Sequence, residues 1–168
     1  MPKITSVPEK QQNKVLARTI EELIAQEWAQ RTSVTIYKTD GDGNCLFRAI
    51  SLGLTQSQDS HQLIRNYVIN HLMDTTQSDN VDDIANMGRD GVWGTDKEIA
   101  AAAELFNSWI YCCSRYGNSN QLCLQHFSPH GIEGRLCTSD CQHNTILLLN
   151  SSGTHYEYVA VKPNDTEE

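Results

Sequence analysis

DGNCLFRA, residues 42–49, is the stretch of this 168-residue chain that says most about its fold. Gly43 and Asn44 favour a turn, and the apolar residues that follow have helical spacing, so a helix is predicted to begin at Cys45. A cysteine in the first turn of a helix feels the positive end of the helix dipole, which favours the thiolate. A thiolate is a strong nucleophile when a base lies nearby, so this cysteine is the predicted catalytic residue.

Two other interpretations of this stretch are a calcium-binding loop and a structural cysteine. Residues 40–44 (DGDGN) begin like an EF-hand calcium loop, but such a loop needs glycine at its sixth position and glutamate at its twelfth. Cys45 and Ser51 occupy those positions, which argues against a calcium site. The second alternative is an inert buried cysteine at the head of an ordinary helix.

A base for Cys45 has to come from elsewhere in the chain, and His155 is the candidate with the most informative surroundings. Residues 145–149 are predicted to form a buried strand, and residues 155–161 a strand that returns beside it. Alternate side chains of a strand share a face, so Glu157 is expected beside the imidazole. The carboxylate would accept the Nδ1–H and leave Nε2 to take the thiol proton.

The octet resembles the nucleophile motif of the ovarian tumour (OTU) domain cysteine proteases, which are deubiquitinating enzymes. The family pattern is aspartate, glycine, any residue, the nucleophilic cysteine and then Leu-Phe-Arg-Ala, and residues 42–49 match it throughout. The family carries its histidine late in the chain, after a run of leucines and before an aromatic residue, as His155 is here. The family's third catalytic residue, usually Asp or Asn, corresponds to Glu157.

The resemblance implies a complete catalytic site. Cys45 would be the nucleophile, His155 the base, and Glu157 or Asp42 the supporting carboxylate. The backbone from Asp42 through Gly43 to Asn44 would help to form the oxyanion hole. This chemistry requires neither a metal nor an organic cofactor.

Trp93 and Gly94 are a second point of resemblance, because the family often has a Trp-Gly pair before a helix with a glutamate near its start. Thr95 and Glu98 form a capping box that predicts this helix, and apolar residues at helical spacing continue it as far as Ile110. The resemblance implies that Trp93 lies near the groove that receives the ubiquitin tail. A core tryptophan is the other interpretation.

The remaining histidines and cysteines have structural interpretations. His61 and His71 flank a predicted amphipathic helix and are expected at its surface or boundary. The predicted apolar face of this helix consists of Leu63, Ile64, Tyr67, Val68 and Leu72. Residues 123–143 hold three cysteines and three histidines, but the Cys137-x3-Cys141 spacing only approximates a zinc-binding pair. These six are predicted to be loop residues, and no metal site is predicted.

Composition and charge fit one compact enzyme domain. The chain is 39% hydrophobic and 20% charged, which suits a fold with an apolar core. We expect no membrane span and no secretory signal, so the six cysteines are interpreted as reduced thiols in a cytoplasmic protein, or in the host cytosol for a viral or bacterial effector. A net charge of −8 without a basic run argues against nucleic-acid binding.

The resemblance implies an α+β fold of the OTU-like papain type, with a small, mostly antiparallel sheet flanked by helices. Residues 1–31 are predicted to be an N-terminal helical extension packed on the domain, residues 32–162 the catalytic domain, and residues 163–168 a disordered tail. The predicted function is that of a deubiquitinase acting on ubiquitin or polyubiquitin chains. The alternatives are a catalytically weak ubiquitin-binding module and a cysteine protease acting on a ubiquitin-like modifier.

Overall fold

The computed structural model describes residues 9–76, 81–115, 121–130 and 144–164. These residues form an α+β fold, as predicted, and none of their helices is long and apolar enough to cross a membrane. The elements in chain order are α1 (Glu9–Trp28), β1 (Thr32–Tyr37), α2 (Cys45–Thr55), α3 (His61–Thr75), α4 (Val81–Met87), α5 (Asp96–Leu105), β2 (Ser108–Arg115), β3 (Leu122–Phe127), β4 (Asn144–Asn150) and β5 (Glu157–Pro163).

The strands form one sheet in the order β1-β5-β4-β2-β3. Only the β2–β4 pair among these neighbours is parallel, which confirms the predicted mostly antiparallel sheet. The strand β4 is buried on both faces, which explains its continuous apolar run. Ile146 and Leu148 pack with α2, α3 and α5, whereas Leu147 and Leu149 pack against α1.

The helix α1 covers the second face of the sheet through Ile20 and Ile24, which are both fully buried. The other end of the chain lies close by, because Pro163 at the end of β5 pairs with Thr32. The Asn164 N–H donates to the Arg31 carbonyl at 3.2 Å, so backbone pairing continues into the segment predicted to be a disordered tail. Residues 165–168 of that tail lie outside the described residues.

The helix predicted from Thr95 to Ile110 is shorter in the structure. Its capping box is present, since Thr95 and Glu98 exchange both expected hydrogen bonds. The helix ends at Leu105, and Asn107 adopts a left-handed conformation with φ +49°. Ile110 therefore lies in β2, where aromatic and β-branched residues favour a strand over a helix.

The buried face of α3 is also turned from the predicted one. Leu63 and Tyr67 are exposed, with relative exposures of 54% and 53%. Ile64 and Val68 of the predicted face are buried as expected, but their neighbours Arg65 and Ile69 are buried in place of Leu63 and Tyr67. The buried residues are Ile64, Arg65, Val68 and Ile69.

The strand β3 is a further departure from the sequence-based interpretation. Cys123 and His126 were predicted to lie in a loop, but both belong to this strand, which pairs with β2 at the edge of the sheet. Both residues are exposed. The alternation of burial is weak along this strand, which is why its sequence lacks a clear period.

Candidate active site

Cys45 is the first residue of α2, and its side chain is enclosed by the protein, with a relative exposure of 1%. The turn before it is short, and the helix starts with a 2.9 Å hydrogen bond from the Arg48 N–H to the Asn44 carbonyl. The aligned backbone dipoles of α2 thus place partial positive charge beside the sulfur. Such a position favours negative charge on a thiol.

The sulfur of Cys45 contacts the far end of the chain. The backbone N–H of Tyr156, 111 residues away in sequence, donates to Sγ at 3.4 Å. Tyr156 is buried with the apolar residues of α2, including Leu46. This contact holds the segment that carries His155 against the start of the nucleophile helix.

The imidazole of His155 contacts a residue that the sequence did not single out. Thr39 lies just after β1 and is 8% exposed. Its Oγ1 is 3.2 Å from His155 Nε2 and also donates to the Tyr156 carbonyl at 2.6 Å. Because β1 and β5 are paired neighbours, the chain beyond one strand meets the chain before the other at this point.

Glu157 does not occupy the position expected for it. The strand β5 begins at this residue, so His155 lies outside the strand and the alternation of strand side chains does not relate the two. Glu157 is half-buried, and no hydrogen bond or ion pair joins its carboxylate to the imidazole within the part of the chain that the structure describes. The nitrogen Nε2, expected to face the thiol, instead contacts Thr39.

Asp42, the second candidate carboxylate, lies in the loop of residues 38–44 that precedes Cys45, which we call the nucleophile loop. Its Oδ2 accepts from Arg48 Nη2 at 2.5 Å, and its Oδ1 accepts from the Asn44 N–H at 3.1 Å. The hydrogen bond from the Arg48 guanidinium holds the pKa of this carboxyl well below its usual range. Asp42 therefore remains ionised and shapes the loop in front of Cys45.

Arg65 is the main site residue that the sequence analysis missed. It is fully buried, and its guanidinium donates to Asn44 Oδ1 at 2.9 Å and to the Gly43 carbonyl at 3.3 Å. It also donates to the carbonyls of Met87 at 2.7 Å and Val92 at 2.8 Å. Burial lowers the pKa of Arg65, but arginine keeps its charge, so a buried cation ties the nucleophile loop to the loop after α4.

This cation determines which way the Gly43–Asn44 peptide faces. The carbonyl of this peptide, which belongs to Gly43, points inward and accepts a hydrogen bond from Arg65. The N–H of a trans peptide points the opposite way, so the Asn44 N–H faces outward, where Asp42 accepts it. Asn44 was predicted to contribute its backbone to an oxyanion hole. The Asn44 N–H is oriented away from the core, as that role requires. It already donates to Asp42, however, and this hydrogen bond would have to break before the N–H could bind an oxyanion.

Gly43 is required by the close packing of the two loops. Its backbone has φ +83°, a conformation that residues other than glycine rarely adopt. A Cβ at this position would lie 2.0 Å from the carbonyl oxygen of Gly91. On the same loop, the Gly91 N–H donates to Asn44 Oδ1 at 2.8 Å, and Asp90 accepts from Asn44 Nδ2 at 2.9 Å.

Trp93 is 49% exposed, so it is not the core tryptophan of the alternative interpretation. Its backbone is anchored on both sides: the Val92 carbonyl is bound by Arg65, and Gly94 packs so closely that a Cβ there would lie 2.3 Å from a methyl carbon of Leu46. The indole is therefore presented from a rigid segment beside the nucleophile helix.

A groove of about 950 Å³ runs beside this segment. Gly94, next to Trp93 in sequence, lines it together with Tyr156, next to His155 in sequence, whereas Cys45, His155 and Trp93 are not among its lining residues. Its lining includes three acidic residues, Asp83, Asp96 and the buried Glu98, and one basic residue, Lys97, so the acidic residues are in excess. An extended, basic peptide segment would find both space and opposite charge here.

His61 and His71, both half-buried residues of α3, lie at its boundary as predicted. The ring of His71 contacts Glu104 at 3.1 Å. His61 begins α3, and burial lowers the pKa of its imidazole. Among the described residues, no group of three or more His, Cys, Asp or Glu side chains is arranged to hold a metal ion. Cys137 and Cys141, whose spacing approximates a zinc-binding pair, lie outside the described residues.

Comparisons with known proteins match this geometry to a family. The sequence profile of the OTU-like cysteine proteases matches residues 40–156. Deubiquitinating enzyme 10 of Arabidopsis thaliana, which contains an ovarian tumour domain, is 33% identical over 141 residues, 80% of this chain and 36% of that enzyme. The chain spans between 28% and 59% of the length of the three curated relatives it matches.

Solved structures show the same fold. The OTU domain of OTUD1 superposes with a TM-score of 0.65 at 20% identity, covering 90% of this chain and 99% of that domain. The Hazara virus OTU bound to ubiquitin has a TM-score of 0.60 at 17% identity, covering 80% of this chain and 91% of that one. Each alignment extends over most of both chains.

Proposed function

Because the chain belongs to the OTU-like cysteine protease family, we propose that it is a deubiquitinase that hydrolyses isopeptide or peptide bonds at the C-terminal glycine of ubiquitin. The observation that carries this proposal is the contact of the Cys45 sulfur with the backbone beside His155. It places the nucleophile at a helix N-terminus beside the residue that follows the proposed base, although no hydrogen bond joins the sulfur to the imidazole itself within the described residues. The Arabidopsis relatives are named deubiquitinating enzymes, and the Hazara virus structure holds bound ubiquitin.

The reaction proceeds in two steps. The imidazole of His155 takes the thiol proton, and the Cys45 sulfur attacks the glycine carbonyl to form a C–S bond and a tetrahedral oxyanion. When the oxyanion collapses, the C–N bond breaks, the amine leaves with the proton from the imidazolium, and ubiquitin remains as a thioester. Water then gives a proton to the imidazole and attacks the thioester, the C–S bond breaks, and ubiquitin leaves with a free carboxylate.

The nucleophile loop supplies the oxyanion-stabilising groups in this mechanism. We assign that role to the backbone from Asp42 through Gly43 to Asn44, supported by the N-terminal dipole of α2. Arg65 holds the Gly43 carbonyl inward, and the next N–H, that of Asn44, donates to Asp42 Oδ1 at 3.1 Å. In this proposal the Asn44 N–H exchanges that carboxylate for the oxyanion when substrate binds. The Asp42 carboxylate is engaged by Arg48 and the Asn44 N–H, so in this proposal it supports the nucleophile loop, and Glu157 remains a candidate orienting carboxylate.

Substrate binding is assigned to the surface around Trp93 and the neighbouring groove. The C-terminal tail of ubiquitin is an extended segment that contains arginines, and the carboxylates of Asp83 and Asp96 are suited to it. Residues 32–162 make up the catalytic domain in this proposal, with residues 1–31 as a helical extension. A free thiol nucleophile also suits the reducing cytoplasm, of the protein's own cell or of a host.

The proposal is tested with purified protein and three kinds of substrate: the eight diubiquitin linkages, ubiquitin carrying a C-terminal fluorogenic amide, and the same amide on ubiquitin-like modifiers. We expect hydrolysis of the ubiquitin substrates. Cleavage of only a ubiquitin-like substrate would assign the enzyme to that modifier. Ubiquitin binding without cleavage would identify a binding module, the second candidate, which is favoured by the missing contact between Glu157 and His155.

Trp93→Ala is expected to raise KM for the ubiquitin amide about fivefold to 30-fold while kcat changes less than about threefold. An exposed tryptophan at a binding surface contributes roughly 1–2 kcal/mol to complexes, and a residue that binds substrate and transition state equally affects KM alone. Steady-state kinetics measure both constants. The control is Tyr67→Ala, which removes a similarly exposed aromatic from α3 and should leave KM unchanged. Equal KM values for wild type and Trp93→Ala would remove Trp93 from the substrate surface.

A further inference from the structure

We propose that the buried guanidinium of Arg65 is a fixed countercharge for the nucleophile: it stabilises the Cys45 thiolate that forms when the thiol proton leaves. This inference deepens the proposed function and rests on it for its catalytic consequence. Among the described residues, Arg65 bonds neighbours of Cys45 and not the sulfur itself, so it acts as a positioning residue. Its charge is constant, because arginine is not deprotonated in proteins.

The partners of Arg65 leave its charge unpaired. The side chain is fully buried. Within the described part of the chain its hydrogen bonds go to uncharged oxygens, namely the carbonyls of Gly43, Met87 and Val92 and the side-chain amide of Asn44. A buried charge is normally paired, because burial removes the water that would solvate it. A negative group that forms nearby therefore gains more from this cation than from one that is already in an ion pair.

The contacts of Arg65 place this charge behind Cys45. Gly43 and Asn44, which it binds at 3.3 Å and 2.9 Å, are the two residues directly before the nucleophile. Its guanidinium carbon lies 4.2 Å from the ring centre of Phe47, two residues after the nucleophile. Cys45 is itself 1% exposed, so water screens the attraction between the two side chains only weakly. Burial lowers the pKa of Arg65, and the charge of the Cys45 thiolate is among those that oppose this effect.

The carboxylates near Arg65 have other partners. Those whose charges act on it accept hydrogen bonds from other groups: Asp42 from Arg48, Asp90 from Asn44, and Glu98 from Thr95. They offset part of the field of the cation. Without Arg65, however, the sulfur would face these carboxylates with no unpaired guanidinium beside it, and nearby negative charge disfavours a thiolate.

The other ionisable groups on the surrounding elements do not replace this cation. Burial lowers the pKa of His61 and raises the pKa values of Tyr156 and Cys112 to about 12, so these groups are neutral near neutral pH. The imidazole of His155 is charged only while it holds the extra proton. The remaining charges are in contact with water, on the exposed Asp40, Asp96 and Lys97 and the half-buried Glu157.

The experiment follows thiolate formation by its ultraviolet absorbance, as the difference between each variant and the same variant carrying Cys45→Ala, over a pH series. A His155→Gln background removes the imidazolium, so that the sulfur titrates against fixed charges. We expect Arg65→Gln, which removes the cation, to raise the midpoint pH of this titration by about 1 or more. Arg65→Lys, which keeps a cation, should hold the midpoint within about 0.5 of that of the parent protein.

Arg89→Gln is the matched control. Arg89 is exposed in the loop after α4, so the same charge is removed where water screens it, and the midpoint should not move. An unchanged midpoint in folded Arg65→Gln would overturn the proposal. So would an equal rise in Arg89→Gln. A rise in Arg65→Lys as large as in Arg65→Gln would also overturn it, because the effect would then come from the hydrogen bonds and not from the charge.

Glu98→Gln keeps the proposal testable if Arg65→Gln does not fold. It removes a buried carboxylate that acts on Arg65 and retains the capping box, since glutamine accepts the same hydrogen bonds. The midpoint should fall, and an unchanged or higher midpoint would overturn the proposal. In an active enzyme, the acid limb of kcat/KM for the ubiquitin amide should move to higher pH in Arg65→Gln. If the wild-type protein cleaves no ubiquitin substrate, the proposed function fails, and the titration still decides the role of Arg65.

Discussion

Cys45→Ala is expected to lower the hydrolysis of ubiquitin substrates by about 10⁴-fold or more, the loss typical of removing a catalytic nucleophile. The sulfur cannot be replaced by another group, because the structure positions it alone at the N-terminus of α2 against the His155 segment. Ubiquitin binding should survive, because the substrate surface around Trp93 is unchanged. Initial rates with the fluorogenic amide, together with the Kd for free ubiquitin, measure the two effects separately.

Cys123→Ala is the matched control for this variant. Cys123 is an exposed free cysteine on β3, whereas the buried Cys112 and Cys113 have thiols whose pKa is raised by burial to about 12. Such thiols are inert near neutral pH, so Cys123 is the relevant competitor among the cysteines that the structure describes. The control should keep wild-type activity. A loss below about tenfold in Cys45→Ala, or an equal loss in Cys123→Ala, would contradict the assignment of the nucleophile.

Gly43→Ala is expected to cause the second largest loss, at least about 100-fold in kcat together with a lower Tm. The new Cβ would lie 2.0 Å from the Gly91 carbonyl oxygen, and the backbone has φ +83°. The left-handed conformation alone costs about 1–2 kcal/mol, and relief of the clash must move the loop to which we assign the oxyanion-stabilising groups. Steady-state kinetics and thermal unfolding measure the activity and the stability.

Gly41→Ala provides a control in the same loop. No heavy atom lies within 4 Å of a Cβ built on Gly41, and its φ is outside the left-handed range. The variant should therefore retain both kcat and Tm. Similar losses in the two variants would mean that the loop is sensitive to any added side chain. Full activity in Gly43→Ala would show that the packing against Gly91 is unimportant for catalysis.

Much of the frame around the nucleophile could be predicted because local signals agreed there. The turn before Cys45 and the apolar spacing after it identified the start of α2, and the capping box of Thr95 and Glu98 identified the start of α5. The buried strand predicted for residues 145–149 is β4, whose run of apolar residues is continuous. These features depend on residues close together in the chain.

The polar groups behind the site could not be predicted in the same way. Arg65 lies within the apolar stripe of α3, and a charged residue inside such a stripe was a signal that could have been used. Thr39 carried none, because its contact with His155 depends on how the ends of β1 and β5 meet. The orienting role of Glu157 was predicted from a strand that begins at His155, whereas β5 begins two residues later, at Glu157.

Mapping the covalent adduct of a ubiquitin probe tests the catalytic claim most directly. The probe carries an electrophile in place of its C-terminal glycine carbonyl, and the reacted protein is digested and sequenced by mass spectrometry. We expect one ubiquitin per chain, attached at the peptide that contains Cys45, and strongly reduced labelling in His155→Gln. An adduct at Cys123 or another cysteine, or the absence of an adduct from folded protein that binds ubiquitin, would contradict it.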